Sequence, residues 1–283
     1  MAAIVGHTNI VKLLLDANAN VDAKTRDGRS ALMTCAHLGK VKMVELLLGS
    51  MVINVNAKAK GKFFFTNNPF VLTPRRIFIF LSYLTLSTSL SLCLSLLFRL
   101  VYASASSLAS LIRADGTSAL VFAISSGHTE IVQMLIDSGA KSDSRNLDNL
   151  TALMVAAGTG ASDIVKLLLE ANASIDLEDS DGATALHFAA LNGHTNVVQQ
   201  LVDRNVNGDI PTEDGLTPLM MAASQGHYEI VQLLCEHGVN VDVIGKGATT
   251  AFMIATLKEH VHPRGTEIAY LIDSYSKRSV QDL

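Results

Sequence analysis

Tryptophan is absent from this chain of 283 residues, and cysteine is scarce. The three cysteines, Cys35, Cys93 and Cys235, lie far apart and form no C-x-x-C pair, which argues against a disulfide framework and a structural zinc site. A strong excess of charge is also lacking, since 26 acidic and 22 basic residues leave a net charge of −4. We therefore expect no nucleic-acid partner, and the cysteine usage favours the reducing cytosol or nucleus.

Motifs of catalysis and of cofactor binding are missing as well. The chain has no Gly-x-Ser-x-Gly and no Walker sequence, and in the Gly-Thr-Gly segment 158–160 the third glycine of a phosphate loop is replaced by Asp163. We interpret 158–160 as a turn between two helices. Glu259, His260 and His262 are metal-ligand types, but two histidines on a polar loop are more often solvated. The sequence predicts no enzyme, no cofactor and no metal site.

Glycine, in contrast, recurs at a fixed spacing. Asp-Gly pairs at 115–116, 181–182 and 214–215, with Asp-Asn at 148–149, are one period apart, since 149 − 116, 182 − 149 and 215 − 182 all equal 33. Such a period indicates a repeat protein. The preceding pair, 27–28, lies 88 residues (116 − 28) before Gly116, so foreign sequence interrupts the array.

Each repeat contains two short apolar patterns that can be buried only by packing against a neighbouring repeat. Ala-Ala at 156–157, 189–190 and 222–223 allows close approach of a first helix, and Ile-Val or Val-Val followed by Leu-Leu forms the apolar stripe of a second helix. Stacking of units buries these stripes. The second helices are predicted to end at residue types that tolerate the left-handed conformation, namely Gly139, Asn172, Asn205 and Gly238.

The unit resembles the ankyrin repeat. Its pattern T-P-L-H-x-A-A, then G-H, then V-V-x-x-L-L is most complete at 184–201 and 217–234. The resemblance implies an all-α solenoid of stacked helix-turn-helix units with short β-hairpin loops. It covers about 1–58 and 115–283, as about seven units of which the first lacks its hairpin and half a helix. The last unit, about 247–275, has the polar outer face expected of a C-terminal cap.

We divide the chain into repeats 1 and 2 (1–60), an apolar insertion (61–114) and repeats 3 to 7 (115–283). Within the insertion, 77–98 is uncharged and mostly apolar and is flanked by arginines, which makes it a transmembrane candidate. A membrane span there would divide a stack that needs contiguous neighbours. An inserted loop is the other structural alternative.

We favour the hypothesis that 61–114 is a translated intron. The Leu-Ser alternation in SLSLCLSL and the Phe-Phe-Phe at 63–65 are what pyrimidine-rich and T-rich tracts encode. Gly61-Lys62 can be encoded by GGTAAG, with a donor-like GTAAG, and Ala114-Asp115 by GCAGAY, with an acceptor-like CAG. Removal of the segment would read NVNAKAK-DGTSAL and restore the missing Asp-Gly pair. Sequencing of transcripts across this junction tests the hypothesis, which fails if all of them retain the segment.

Histidines recur at one position of the repeat, at 128, 194 and 227, and this repetition favours a structural hydrogen bond to the turn over catalysis. His187 occupies the histidine of T-P-L-H and is interpreted in the same way.

The resemblance also implies a binding surface made by the hairpin tips and the first helices. Its matching positions in this chain are Arg26, Arg29, His37, Leu38, Thr117, Ser125, Ser126, Asp148, Leu150, Gly158, Thr159, Ser180, Ala183, Leu191, Asn192, Glu213, Leu216, Ser224 and Gln225. Acidic residues at the tips of units 5 and 6 suggest a basic or polar partner segment there.

The expected function is that of a non-catalytic scaffold or adaptor that binds another protein. Two alternatives stay open: a membrane-anchored ankyrin protein that uses 77–98, and a regulatory arm of a larger enzyme or channel. A membrane partner is expected only if 77–98 is expressed.

Overall fold

The computed structural model describes residues 2–25, 28–50, 53–59, 116–257 and 264–281. In these ranges the helices form seven successive pairs, here units 1 to 7, and no strand is present. The pairs are α1 (Ala2–Val5) and α2 (Thr8–Asp16), α3 (Ala31–His37) and α4 (Val41–Leu48), α5 (Ala119–Ser125) and α6 (Thr129–Asp137), α7 (Ala152–Thr159) and α8 (Ser162–Glu170), α9 (Ala185–Asn192) and α10 (Thr195–Val202), α11 (Pro218–Gln225) and α12 (Tyr228–Glu236), and α13 (Ala251–Leu257) and α14 (Gly265–Gln281). The prediction of an all-α repeat solenoid is confirmed.

The first helix of each pair is the inner helix, and in units 2 to 6 a hydroxyl residue stands at its N-terminal cap. Thr151 Oγ1 accepts the N–H of Met154 (3.4 Å), and Thr217 Oγ1 accepts that of Met220 (3.3 Å). These bonds satisfy backbone donors that the first helical turn leaves open. The alanine pairs 156–157, 189–190 and 222–223 are fully buried between adjacent inner helices. Small side chains thus set the close stacking of the units.

The second helix of each pair is the outer helix, and in units 3 to 6 it ends where the sequence predicts. The backbone has positive φ at Gly139 (83°), Asn172 (56°), Asn205 (55°) and Gly238 (80°). Glycine and asparagine tolerate this conformation, and the reversed chain then satisfies the last helical carbonyls. The outer helices therefore stop at about the same length in each complete unit.

The sequence interpretation of 158–160 as an interhelical turn holds for Gly160, whereas Gly158 and Thr159 are the last residues of the helix. Helix α7 runs to Thr159, and Gly160 caps it with φ of 70°. A Cβ atom at Gly160 would lie 2.6 Å from Nδ1 of His194 in the next unit. This glycine is required both by its backbone conformation and by the ring that packs on it.

The hairpin tips are hydrogen-bonded turns rather than pairs of strands. In the tip before α9, Asp179 N donates to Ala183 O (2.9 Å) and Gly182 N to Asp179 O (3.3 Å). The tip before α11 repeats this pattern with Thr212 N to Leu216 O (2.9 Å) and Gly215 N to Thr212 O (2.7 Å). Asp179 and Thr212 each make both of these bonds, and we call such a residue the closing residue of its tip. In both tips, two residues lie between the closing residue and the glycine.

Units 2 and 3 stack directly on each other although 61–114 separates them in sequence. Inner helix α3 packs on α5, and outer helix α4 packs on α6. His37 joins the two units, because its Nδ1 lies 2.8 Å from Ser126 Oγ and its carbonyl accepts from His128 Nε2 (3.1 Å). The stack is therefore continuous from unit 1 to unit 7.

The tip between units 2 and 3 closes in the same register as the others. Ala59 N donates to Thr117 O (3.0 Å), and Gly116 N donates to Ala59 O (2.9 Å). An isolated antiparallel bridge joins Lys58 and Ser118. Ala59 thus occupies the place of Asp179, and a chain without 61–114 would leave two residues, Lys60 and Asp115, before the glycine.

Several sequence predictions fall outside the described residues. They concern Arg26, Cys93, the metal-ligand types at 259–262, the insertion 61–114 and its apolar segment 77–98. Among the helices of the described ranges, none combines the length and the apolar character needed to cross a bilayer.

Candidate partner-binding surface

The hairpin tips stand in a row along one edge of the stack. We name each tip after the unit whose inner helix follows it. The described residues of the tips are tip 2 (24–25 with 28–29), tip 3 (58–59 with 116–117), tip 4 (145–150), tip 5 (178–183), tip 6 (211–216) and tip 7 (244–249). In tips 4 to 7, the residues between the closing hydrogen bonds include exposed side chains, and their types differ from one tip to the next.

Backbone hydrogen bonds fix the positions of tips 4, 5 and 6 relative to one another. Ser180 N donates to Asp148 O (3.1 Å), which joins tips 4 and 5. Glu213 N donates to Asp181 O (2.8 Å), which joins tips 5 and 6. Because the bonds use the backbone, the side chains of the tips are left to vary without loss of the stack.

Most of the sequence-predicted binding residues reach the surface. Leu38 is 44% exposed, Ser180 and Glu213 are also exposed, and the others of this group are partly exposed. The partly exposed members are Arg29, His37, Ser125, Ser126, Asp148, Thr159, Leu191, Asn192 and Gln225. The structure brings them together as one surface formed by the tips and the inner helices.

Six other predicted residues are buried. They are Thr117, Leu150, Gly158, Ala183, Leu216 and Ser224, none more than 9% exposed where a side chain is present. Four of them follow the tip glycine or asparagine, where the chain turns back under the inner helix. These positions offer a partner little or no side-chain surface, so our proposed surface leaves them out.

The sequence prediction missed a basic position at the base of the tips. Lys24 Nζ donates to Lys58 O (2.7 Å), Lys58 Nζ to Arg145 O (2.7 Å), and Arg145 Nη1 to Glu178 O (3.4 Å). Each side chain therefore reaches the equivalent residue of the next unit. The signal in the sequence is that Lys24 and Lys58 align at the same repeat position.

Units 2 and 3 also share a cluster of aromatic and basic groups. The Arg29 guanidinium lies over the ring of Phe122, 5.2 Å from its centroid, and the His37 ring meets Phe122 edge-on at 6.0 Å. Burial, followed by the charges of Arg29 and His128, lowers the pKa of His37. The neutral imidazole is thus favoured, and His37 serves as a hydrogen-bonding group between units.

Carboxylates crowd at tip 5. Burial raises the pKa of Asp179 and the negative charges of Asp181 and Asp148 add to the rise, while backbone N–H groups of Ala183 and Asp181 oppose it. Oδ1 of Asp179 accepts both of these N–H groups, at 2.8 and 2.9 Å. The Asp179 carboxylate holds the turn, whereas that of Asp181 points to solvent and is exposed.

The recurring histidines have the structural role that the sequence indicates. Nε2 of His194 lies 3.1 Å from the Gly158 carbonyl, and Nε2 of His227 lies 3.2 Å from that of Leu191. His187 is buried, with Nδ1 accepting from Thr184 N (3.0 Å) and Nε2 within 3.1 Å of a carbonyl of the next unit. Burial lowers the pKa of His187 to about 4.

The described residues contain no group of three or more side chains suited to hold a metal ion. Of the cysteines, Cys35 and Cys235 are buried free thiols. Burial raises their pKa values to about 11 and about 12, so neither forms a thiolate near neutral pH. These two thiols act as core residues.

A comparison with protein families agrees with this geometry. A family model described as "Ankyrin repeats (3 copies)" matches residues 1–59, 87–179 and 172–245, well over half of the chain. The chain belongs to the ankyrin repeat family. No curated protein matches it. One ankyrin match begins at residue 87, inside the segment that we set apart as 61–114, and our interpretations of that segment stay predictions.

Membership of the ankyrin family indicates the general role of the stacked helix pairs. Ankyrin repeats generally act as protein-interaction modules and are typically non-catalytic. The tip row and the inner helices are thus the surface to consider for a protein partner.

Proposed function

We propose that the protein is a non-catalytic scaffold or adaptor that binds a partner protein along its tips and inner helices. One observation carries the proposal: the recurring residues at the interfaces between inner helices are buried, whereas exposed residues at the tips differ from unit to unit. Alanine pairs and capping threonines repeat, but the exposed residue two before the tip glycine is Ser180 in one tip and Glu213 in the next. Such variation on a fixed frame is suited to recognition of one specific partner.

The surface of the proposal comprises the accessible residues of the predicted set. They are Arg29, His37, Leu38, Ser125, Ser126, Asp148, Thr159, Ser180, Leu191, Asn192, Glu213 and Gln225. We expect a minority of them to carry most of the binding free energy, as in other protein interfaces.

Affinity capture with the full chain tests this function. We expect Leu38→Lys with Gln225→Lys to lose a partner that the wild type captures, because both substitutions place a charge on the inner side. The matched control is Gln199→Lys with Gln232→Lys on the exposed sides of outer helices α10 and α12. If both double variants capture the same proteins as the wild type, the assignment of the binding side is wrong.

The compartment and the larger assembly are parts of the same proposal. We propose a location in the cytosol or nucleus, which the absence of a disulfide between the two described cysteines supports. Membrane anchoring through 77–98 stays an alternative, and detergent-dependent extraction of the native protein would favour it. A regulatory arm of a larger enzyme or channel is the other, and a transcript that encodes a further domain would favour that.

A further inference from the structure

The sequence contains two Asn-Gly pairs, at 192–193 and 207–208. Asparagine is a chemically labile residue, and a following glycine leaves the backbone free to turn its nitrogen toward the carbonyl carbon of the asparagine side chain. Attack by that nitrogen releases the side-chain amide. Both pairs lie in the described residues, and the structure places them in different surroundings.

The first pair is held by the end of inner helix α9. Asn192 is the last residue of this helix, and its Nδ2 donates to Phe188 O (2.9 Å). The N–H of Gly193 donates to Ala189 O as part of the helix cap. The helical backbone and these two bonds keep the Gly193 nitrogen engaged and the Asn192 amide in place.

The second pair lies in an outer loop, by which we mean the segment that follows an outer helix and precedes the next tip. Asn207 is exposed in the loop after α10, and its Oδ1 accepts from Asp209 N (3.1 Å). This bond closes a turn that holds the Asn207 side chain beside the backbone of Gly208. Among the described residues, the Gly208 N–H has no hydrogen-bond acceptor. The attacking nitrogen is therefore adjacent to its target and is not engaged elsewhere.

The same turn recurs in three other outer loops with valine in place of the glycine. Asn20, Asn54 and Asn240 are exposed, and the Oδ1 of each accepts from the N–H two residues further on, at 3.0–3.1 Å. The β-branched valine that follows each of them is stiff and crowds its own backbone nitrogen. These asparagines match Asn207 in exposure and in turn geometry, and they differ from it in the residue that follows.

We propose that Asn207 is a site of spontaneous deamidation in the folded protein, whereas Asn192 is protected by its helix. The Gly208 nitrogen forms a bond to Cγ of Asn207, the Cγ–Nδ2 bond breaks, and Nδ2 leaves as ammonia with the proton of the Gly208 nitrogen. A water molecule then opens the cyclic imide at either carbonyl, which gives aspartate or isoaspartate at position 207. The reaction consumes water and needs no oxidant or reductant.

The modified residue lies within a series of hydrogen bonds that joins successive outer loops. Asn207 N donates to Asp176 Oδ1 (3.1 Å) in the preceding loop, and Asn240 N in the following loop donates to Asp209 Oδ1 (2.8 Å). Deamidation adds a carboxylate between Asp176 and Asp209. The isoaspartate product also lengthens the main chain by a methylene group between these two bonds. The change thus falls where three neighbouring loops are joined.

Peptide mapping by mass spectrometry tests the site on the full chain, aged in its folded state near neutral pH. We expect Asn207 to deamidate at least about tenfold faster than Asn192, and than Asn20, Asn54 or Asn240. The same chain aged in urea is the matched control, because unfolding removes the protection by helix α9. Asn192 and Asn207 should then react at similar rates, and the three Asn-Val pairs should stay slow.

Two variants test the role of the glycine. Val21→Gly places an Asn-Gly pair in the matched turn after α2 and should raise the rate at Asn20 toward that of Asn207. Gly208→Ala should slow the reaction at Asn207. A Cβ atom at 208 would lie 2.5 Å from Cγ1 of Val239, so circular dichroism before ageing verifies that this variant is folded.

Equal rates at Asn207 and Asn192 in the folded chain would overturn the inference, and so would a rate at Asn207 no faster than that of the Asn-Val pairs. An unchanged rate at Asn20 in Val21→Gly would also contradict it. This last result does not depend on whether Gly208→Ala folds.

Discussion

At the scale of single residues, the turn glycines differ in what surrounds them. Gly193 and Gly238 have almost the same φ, 77° and 80°. A Cβ atom at Gly193 would lie 2.6 Å from Cε1 of His227, whereas nothing lies within 4 Å of one at Gly238. The two positions therefore separate the cost of backbone strain from the cost of displacing the histidine.

We predict that Gly193→Ala lowers the free energy of unfolding more than Gly238→Ala does. Alanine at positive φ is strained at both positions, at about 1 kcal/mol, and the clash with His227 should bring the loss at Gly193 to about 2–3 kcal/mol. Urea unfolding of the two variants measures this difference. Equal losses would mean that the histidine ring moves aside freely.

His187 predicts a pH dependence of stability. Its pKa is lowered to about 4 in the folded state from 6.5, so the unfolded chain binds the proton more readily between these values. Stability from this group is complete above about pH 6.5 and is lost as the pH falls toward about 4, by at most about 3 kcal/mol. Urea unfolding at pH 7 and at pH 4.5 measures the change.

His187→Met is the matched control for that measurement, since Met154 and Met220 occupy the same repeat position. The variant does not titrate there, and its loss of stability over this pH range should be smaller than that of the wild type by the histidine contribution. Identical pH profiles would show that His187 is not the responsible group.

At the scale of elements, the tip between units 2 and 3 is closed by residues on either side of the insertion 61–114. Its hydrogen bonds link Ala59 with Gly116 and Thr117 in the register of the other tips. The described neighbours make these contacts without using any residue of 61–114. The units on either side thus have the geometry of adjacent repeats.

We predict that deletion of 61–114 leaves the array folded, with a thermal midpoint no lower than that of the full chain. A shorter loop costs less conformational entropy to close. The tip keeps Lys60 and Asp115, the two residues it needs between Ala59 and Gly116. Deletion of 59–114 is the control, because it removes the closing residue and leaves the tip too short. Circular dichroism melts compare them, and a lower midpoint for the first deletion would contradict the prediction.

The helix ends were predictable from sequence, but the burial of the tip residues was not. Asn172 and Gly238 have the residue types that positive φ selects, so the chain itself indicates where its outer helices stop. Whether Leu150 or Ala183 faces a partner depends on how the tip folds against the next unit. The contact of Lys58 with Arg145 joins residues 87 apart (145 − 58), which becomes one period of 33 when the 54 residues of 61–114 are subtracted.

At the scale of the whole molecule, burial is uneven along the stack. Among the described side chains of unit 1, Ala3 and Val11 are buried in the core, and Leu13 is 69% exposed. In unit 4, Ile164 and Leu168 of α8 are no more than 1% exposed. Stability of a solenoid is approximately a sum over units and their interfaces, so these units should open with different free energies.

We predict that amide hydrogens of α2 exchange with solvent at least about tenfold faster than those of α8, since α2 has few buried contacts to hold it closed. Hydrogen-exchange mass spectrometry on the full chain measures both helices in one experiment. Similar protection would mean that the stack opens only as a whole.

The closed register of the tip between units 2 and 3 has a practical consequence. Its two chain ends, at Ala59 and Gly116, meet through backbone hydrogen bonds at the edge of the stack. A fluorescent domain whose own termini are close together could replace 61–114 without separating the repeats. Its emission would then report strain in the neighbouring tips, which would turn the array into a sensor of its own partner.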